Sequence, residues 1–140
     1  MNPIHAKGLD HVVLRVTDLE RALAFYVDVL GFPVERRLDE LGLVQLRAGS
    51  SLIDLVPVES PLGKAGGKAP DPAAPNQDHF AISLADFDDA EIRAHLARFG
   101  VEASETATRY GADGFGPSIY LKDPDDNTVE LKGPAEATAS

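Results

Sequence analysis

The chain has 140 residues, 44% of them apolar, no cysteine and a formal charge of −10. That length is one domain's worth and buries about two-thirds of its surface without staples, while the lack of cysteine excludes disulfides, thiolate metal sites and a cysteine nucleophile. An acidic chain with no basic run is a poor partner for nucleic acid, and no apolar run or leader-like pattern marks a membrane segment, so the expectation is a soluble, cytoplasmic protein that binds small molecules or a second copy of itself.

The first apolar segment, residues 9–16 within "LDHVVLRVTDL", reads as a strand. "TDLERALAFYVDVLG" then predicts a helix, with Thr17 and Glu20 in capping-box spacing, Leu19, Leu23, Tyr26 and Leu30 on its apolar face, and Gly31 as its stop. Strands are expected over 33–38, 43–47 and 52–58, separated by turn residues such as "RAGSS". Residues 59–77, rich in Pro, Gly and Ala, predict a linker or mobile cover. The pattern then starts again. "QDHFAISLADF" opens on a strand over 78–84, followed by a helix capped by Asp86, striped by Ile92, Leu96 and Phe99, and stopped by Gly100. Strands over 101–106, 118–122 and 128–132 follow, the last two joined by "DPDDN", and residues 134–140 read as a tail with "AEATAS" frayed.

The two halves are copies of one unit. Aligning His11 with His79 is an offset of 68 and Gly31 with Gly100 an offset of 69, so one gap keeps them in step. The reading is α+β: two βαβββ modules, about 8–58 and 78–133, in a single domain over 1–140 whose curved mixed sheets form a cleft.

Strand residues alternate faces, so His11 goes with Val13 and Arg15, and His79 with Ala81 and Ser83. Asp54 in "LIDLV" and Glu130 in "TVELK" hold matching places in the last strand of each module. With a pseudo-two-fold axis, His11 with Asp54 and His79 with Glu130 become equivalent pairs facing one point. Two imidazoles with one or two carboxylates suit Zn, Ni, Mn, Co or Fe(II) and leave positions open for substrate. Taken singly, a strand histidine is more often a core or surface residue, and Glu130 between Thr128 and Lys132 reads as a solvated strand position. Asp54 is different, since Leu52 and Val56 share its face and a buried carboxylate needs a partner. It is the repeat that turns these residues into a set. His5 and His95 lack that register and are expected to be structural or solvent-facing. Ser118, Tyr120 and Lys122 share one face, and Gln45 with Arg47 the matching face of the first module. Residues 111–116 read either as a glycine-rich anion-binding loop or as an ordinary connection; Arg15 reads as an inward cation or as surface.

"GLDHVVLRVTDLERALAFYVDVLGF" with "DPDDNTVEL" resembles the vicinal oxygen chelate superfamily, which includes glyoxalase I, fosfomycin-resistance proteins, extradiol dioxygenases and bleomycin-binding proteins. The resemblance covers about 8–133 and implies His11, His79 and Glu130 as metal ligands. In glyoxalase I a fourth ligand lies where Asp54 stands, in place of the usual Glu or Gln. "RYGADGFGPSIYLKDPDDNTVEL" is similar to the part of fosfomycin-resistance proteins that surrounds an anionic substrate, which implies Arg109, Ser118 and Tyr120 as substrate contacts. The expectation is a divalent-metal enzyme of glyoxalase type, with Asp54 or Glu130 as base, Tyr120 assisting, and Arg15 and Gln45 as further substrate contacts. Alternatives are an epoxide-opening enzyme, an Fe(II) dioxygenase using only His11, His79 and Glu130, and a metal-free drug-binding protein. Family analogy implies a homodimer.

Overall fold

Each half of the chain closes on its own four-stranded sheet. In the computed structural model, which describes residues 2–136, the halves are two units, Met1–Ala69 and Pro70–Ser140. The first holds β1 (His11–Val16), β2 (Val34–Leu38), β3 (Leu43–Ala48) and β4 (Ser51–Pro57), in the order β1-β4-β3-β2. The second holds β5 (Phe80–Ser83), β6 (Ala107–Gly111), β7 (Gly114–Lys122) and β8 (Thr128–Lys132), in the order β5-β8-β7-β6. In both, the first and last strands pair in parallel and the others antiparallel. A parallel pair needs a long connection, here a helix and two strands. The sequence repeat is therefore a structural repeat, βαβββ twice.

Alternation sorts each sheet into an apolar and a polar face. In the first unit Leu14, Val16, Val44, Leu46, Ile53 and Leu55 are buried together. Against them lies α1 (Leu19–Leu23), which continues as a π-helical segment, Ala24–Val29. The Leu30 N–H donates to the Phe25 carbonyl at 3.0 Å, five residues back, and Phe25 and Tyr26 are both buried, their rings edge-on at 5.0 Å. The buried stripe is thus Ala22, Phe25, Tyr26 and Val29; of the predicted face only Tyr26 is fully buried. The N-cap is Asp18 rather than Thr17: its carboxylate accepts from the Arg21 N–H at 3.1 Å, the third residue on, which Thr17 stands one residue too early to reach.

The second unit corrects three expectations. Its helix, α3 (Asp89–Arg98), is capped by Asp88, which accepts from the Glu91 N–H at 3.0 Å, not by Asp86. Leu96 is buried as predicted, but Phe99 falls beyond the helix end and is 47% exposed. Residues 101–106 make only an isolated bridge, Ala103 to Leu121, and the strand is Ala107–Gly111. Of the two readings of residues 111–116 the structure has the ordinary connection, the turn and first pairs of a β-hairpin. Gly111 pairs with Gly114 across Ala112 and Asp113, so this backbone runs in a ladder with its strand partner instead of opening as a loop for an anion. Gly116 answers to close packing, since a β-carbon there would lie 2.4 Å from the Pro134 carbonyl oxygen, whereas Gly114 answers to its φ of +117°.

The expected linker is partly built. Residues 61–65 form α2 (Pro61–Ala65), capped by the Ser60 hydroxyl, which accepts from the Gly63 N–H at 3.1 Å. After β8 the chain stays beside β7, with Gly133 N–H donating to the Pro117 carbonyl at 2.8 Å and Glu136 N–H to that of Phe115 at 2.7 Å. The rest of the predicted frayed tail lies outside the described residues. Among the described residues no helix is long and apolar enough to cross a membrane.

Two substitutions test this packing by urea unfolding. Leu55→Ala should cost about 2–5 kcal/mol, as a buried leucine truncated in a core. Gly116→Ala should cost about 1–3 kcal/mol by forcing the C-terminal segment off the hairpin.

Candidate active site

The pairing registers build the same arrangement twice. In the first unit Asp54 lies between Val13 of β1 and Gln45 of β3, and His11 precedes Val13 by two residues on the same face. In the second, Glu130 lies between Ala81 of β5 and Tyr120 of β7, and His79 precedes Ala81 by two. Gln45 and Tyr120 are therefore counterparts, as are Asp54 and Glu130.

Both carboxylates are buried, Asp54 to 4% exposure and Glu130 to 5%. Asp54 is compensated by an amide: Gln45 Nε2 donates to its two oxygens at 3.2 and 3.1 Å, and Gln45 Oε1 accepts from Arg36 Nε at 2.5 Å. Glu130 instead has His79 Nε2 at 3.4 Å from its Oε1. Each imidazole is also tied by the acid before it, His11 Nδ1 to Asp10 at 2.8 Å and His79 Nδ1 to Asp78 at 2.6 Å. A carboxylate only accepts, so Nδ1 carries the proton and the Nε2 lone pair is left to act as a ligand. The His11 imidazole is held above its ordinary value first by the Asp10 hydrogen bond and then by the field of Asp54, against a smaller opposing effect of burial.

Around Glu130 the second unit gathers the remaining predicted contacts. Tyr120 meets His79 edge-on with ring centroids 5.6 Å apart. Arg109 lies over the Tyr120 ring at 4.4 Å and donates through Nη1 to the carbonyl and hydroxyl oxygens of Ser118, both at 2.8 Å. Arg15, expected as a substrate contact, is engaged elsewhere: its guanidinium donates to the carbonyls of Gly67 at 2.9 Å and Lys68 at 2.6 Å, just past the end of α2. Arg47 pairs with Glu35 at 2.5 Å. His5 and His95 are exposed, as expected, with His95 5.3 Å from the Phe99 ring. A surface hollow of about 290 Å³ lined by Arg93, Leu96, Val101, Glu102 and Ala103 contains none of the predicted residues.

The order of strands, the doubled histidine and acid, and the matching registers are a family's signature, and comparison with known proteins identifies the family. The model of the Glyoxalase/Bleomycin resistance protein/Dioxygenase superfamily matches residues 8–131. The chain belongs to that superfamily. Catechol-2,3-dioxygenase of Bacillus subtilis is 30% identical over 133 residues, which is 94% of this chain and 43% of that protein, so this chain spans less than half of that relative's length. Virulence protein STM3117 of Salmonella typhimurium is 30% identical over 125 residues, 88% of this chain and 81% of that one. The solved structure of an integron cassette protein from the mobile metagenome of V. cholerae superposes with a TM-score of 0.71 at 25% identity, covering 93% of this chain and 97% of that one.

Members of the glyoxalase/dioxygenase superfamily commonly use a divalent ion, and the donors here fit one in type: imidazole nitrogens fixed by acids, and buried carboxylates. Within neither unit, among the described residues, do three such side chains cluster; each supplies two. Sequence reasoning missed Asp10, Asp78 and Arg36. The first two were in plain view as a repeated Asp-His doublet; Arg36 had no signal beyond lying one strand from Gln45.

In metal-free protein the His11 imidazole should titrate above 6.5, and Asp10→Asn should bring it down further than Asp54→Asn does, read by NMR of the ring carbons. A raised value lets protons compete with a metal to higher pH, so affinity at His11 should fall as pH drops through it.

Proposed function

We propose that this protein is a divalent-metal-dependent enzyme, a glyoxalase-type lyase or isomerase acting on a small substrate that offers two oxygens to the ion. One observation carries the reading: a buried carboxylate and an acid-oriented imidazole are built twice in the same register. His11, His79 and Glu130 hold the ion, with Asp54 as the fourth donor. When bound, the ion supplies electrophilic stabilisation of negative charge developing on substrate oxygen.

The chain's own residues do the rest. Glu130 or Asp54 takes the proton from the substrate carbon. Gln45, held by Arg36, sets the orientation of Asp54 and faces the substrate; Tyr120 flanks the reacting end beside His79, and Ser118 and Arg109 contact the far end. The 140 residues work as one domain, in the cytoplasm, as a homodimer. The name of the Bacillus subtilis relative favours a second reading, an Fe(II) extradiol-type dioxygenase held by His11, His79 and Glu130 alone.

Metal analysis of tag-free protein tests the first claim. About one ion per site is expected, with affinity falling about 10–100-fold in Asp78→Asn and being lost in His79→Ala. Retention of full affinity in Asp54→Asn selects the three-ligand site. Substoichiometric metal, unchanged in His79→Ala, sinks the enzyme reading. Turnover of hemithioacetals against catechols then separates the two reactions.

A further inference from the structure

The two histidines are not held alike. In the first unit the ladder reaches His11 itself, which pairs with Leu52, and the chain ahead of it is pinned near the start of β4: the Leu52 N–H donates to the Asp10 carbonyl at 3.1 Å and the Ser51 hydroxyl to that of Leu9 at 3.2 Å. In the second unit the ladder starts with Phe80 opposite Val129. His79 and Asp78 thus stand just off its end, after a run, 70–77, that holds three prolines and so three residues with no N–H to give.

A side chain supplies the pin in the second unit. The turn between β7 and β8 is fixed by Asp123, whose Oδ1 accepts from the N–H groups of Asp125 at 2.9 Å and Asn127 at 2.8 Å, and whose Oδ2 accepts from Asn127 Nδ2 at 2.8 Å. A carboxylate only accepts, so the Asn127 amide must give it the nitrogen and turn its oxygen away. That oxygen accepts from Asn76 Nδ2 at 3.2 Å. Asp123 and Asn127 are buried, at 4% and 1% exposure, so the anchor belongs to the packed part of the unit.

The pin bears on where one proton sits. His79 has an acceptor at each ring nitrogen, the Asp78 carboxylate 2.6 Å from Nδ1 and Glu130 Oε1 3.4 Å from Nε2. A neutral imidazole has one N–H, and whichever acid takes it decides which nitrogen keeps a lone pair. The Asp78 side chain is 95% exposed and lies two residues beyond Asn76, whereas Glu130 is buried in β8. We propose that Asn76 is a positioning residue: bound to Asn127, it holds Asp78 against Nδ1, so the proton stays there and Nε2 keeps its lone pair for a ligand. Without that clasp the proton resides on Nε2 and is donated to Glu130, which occupies two site donors at once. The first unit needs no such device, because its ladder already includes His11. This deepens the function proposed above and rests on it only for what the lone pair then binds.

The test reads the His79 ring nitrogens by long-range ¹H–¹⁵N correlation in metal-free, ¹⁵N-labelled protein at a pH where the imidazole is neutral. The unaltered protein should show the Nδ1–H form of His79. Asn76→Ala should move the population toward Nε2–H, while Ser51→Ala, which loosens only the pin of the first unit, should leave His79 as it was. Zn(II) affinity should fall about tenfold in Asn76→Ala. An Nε2–H form in the unaltered protein, or the same tautomer balance in a folded Asn76→Ala variant, overturns the proposal. Where Asn76→Ala does not keep a native spectrum, Asn76→Ser, too short to reach Asn127 yet still polar, is read in its place with the same expectations. A tautomer shift in a protein that binds no Zn(II) upholds the clasp and sinks the metal reading; Zn(II) bound with no tautomer shift upholds the metal reading and overturns the clasp.

Discussion

In each unit the first strand pairs in parallel with the last, and the site depends on that pairing. The register brings Val13 opposite Asp54 and Ala81 opposite Glu130, and strand alternation then puts each histidine on the same face two residues away. A slip of one residue would carry Asp54 or Glu130 to the apolar face, where Leu55 and Leu131 now pack. The core therefore holds the chemistry in place: the aliphatic side chains that fix the register also fix where the carboxylates emerge.

The two copies compensate their buried acids differently. Asp54 is held on both oxygens by Gln45, itself held by Arg36, a neutral contact backed by a charge. Glu130 faces an imidazole and a phenol ring instead. Asp54 is thus oriented by its own sheet before any ligand arrives, whereas the nearest partner of Glu130 is the His79 imidazole, at 3.4 Å. Duplication supplied the geometry, and the residues opposite each acid made the copies unequal.

Period-two alternation made most strands legible, and the doubled "DH" made the histidines legible as a pair. What failed to show were features that neighbouring residues of like chemistry obscure and features set by non-local contact. The caps fell on Asp18 and Asp88 because only their oxygens reach the third N–H beyond, and neighbouring Thr17 and Asp86 carry the same chemistry. Residues 111–116 read as a loop or plain connection because their glycines look like turn residues, although Gly116 is dictated by Pro134, distant in sequence. Arg15 shares a face with His11 in the sequence pattern, but its partners are carbonyls more than fifty residues on. The family's fold and the paired histidines and acids were written in local pattern; the disposition of the cations around them was not.

The short run after β8 looks like leftover chain, but it lies along the first half of β7 and takes up the carbonyls of Phe115 and Pro117. Without it those groups would be an open edge on a strand whose own Phe115 packs against Tyr110 of β6, the two rings 5.0 Å apart. Open edges flanked by apolar side chains template pairing with other chains. The carboxy-terminal segment thus closes this stretch of β7 as a short added strand would, and a protein cut back to the end of β8 would leave the Phe115 and Pro117 carbonyls without these partners.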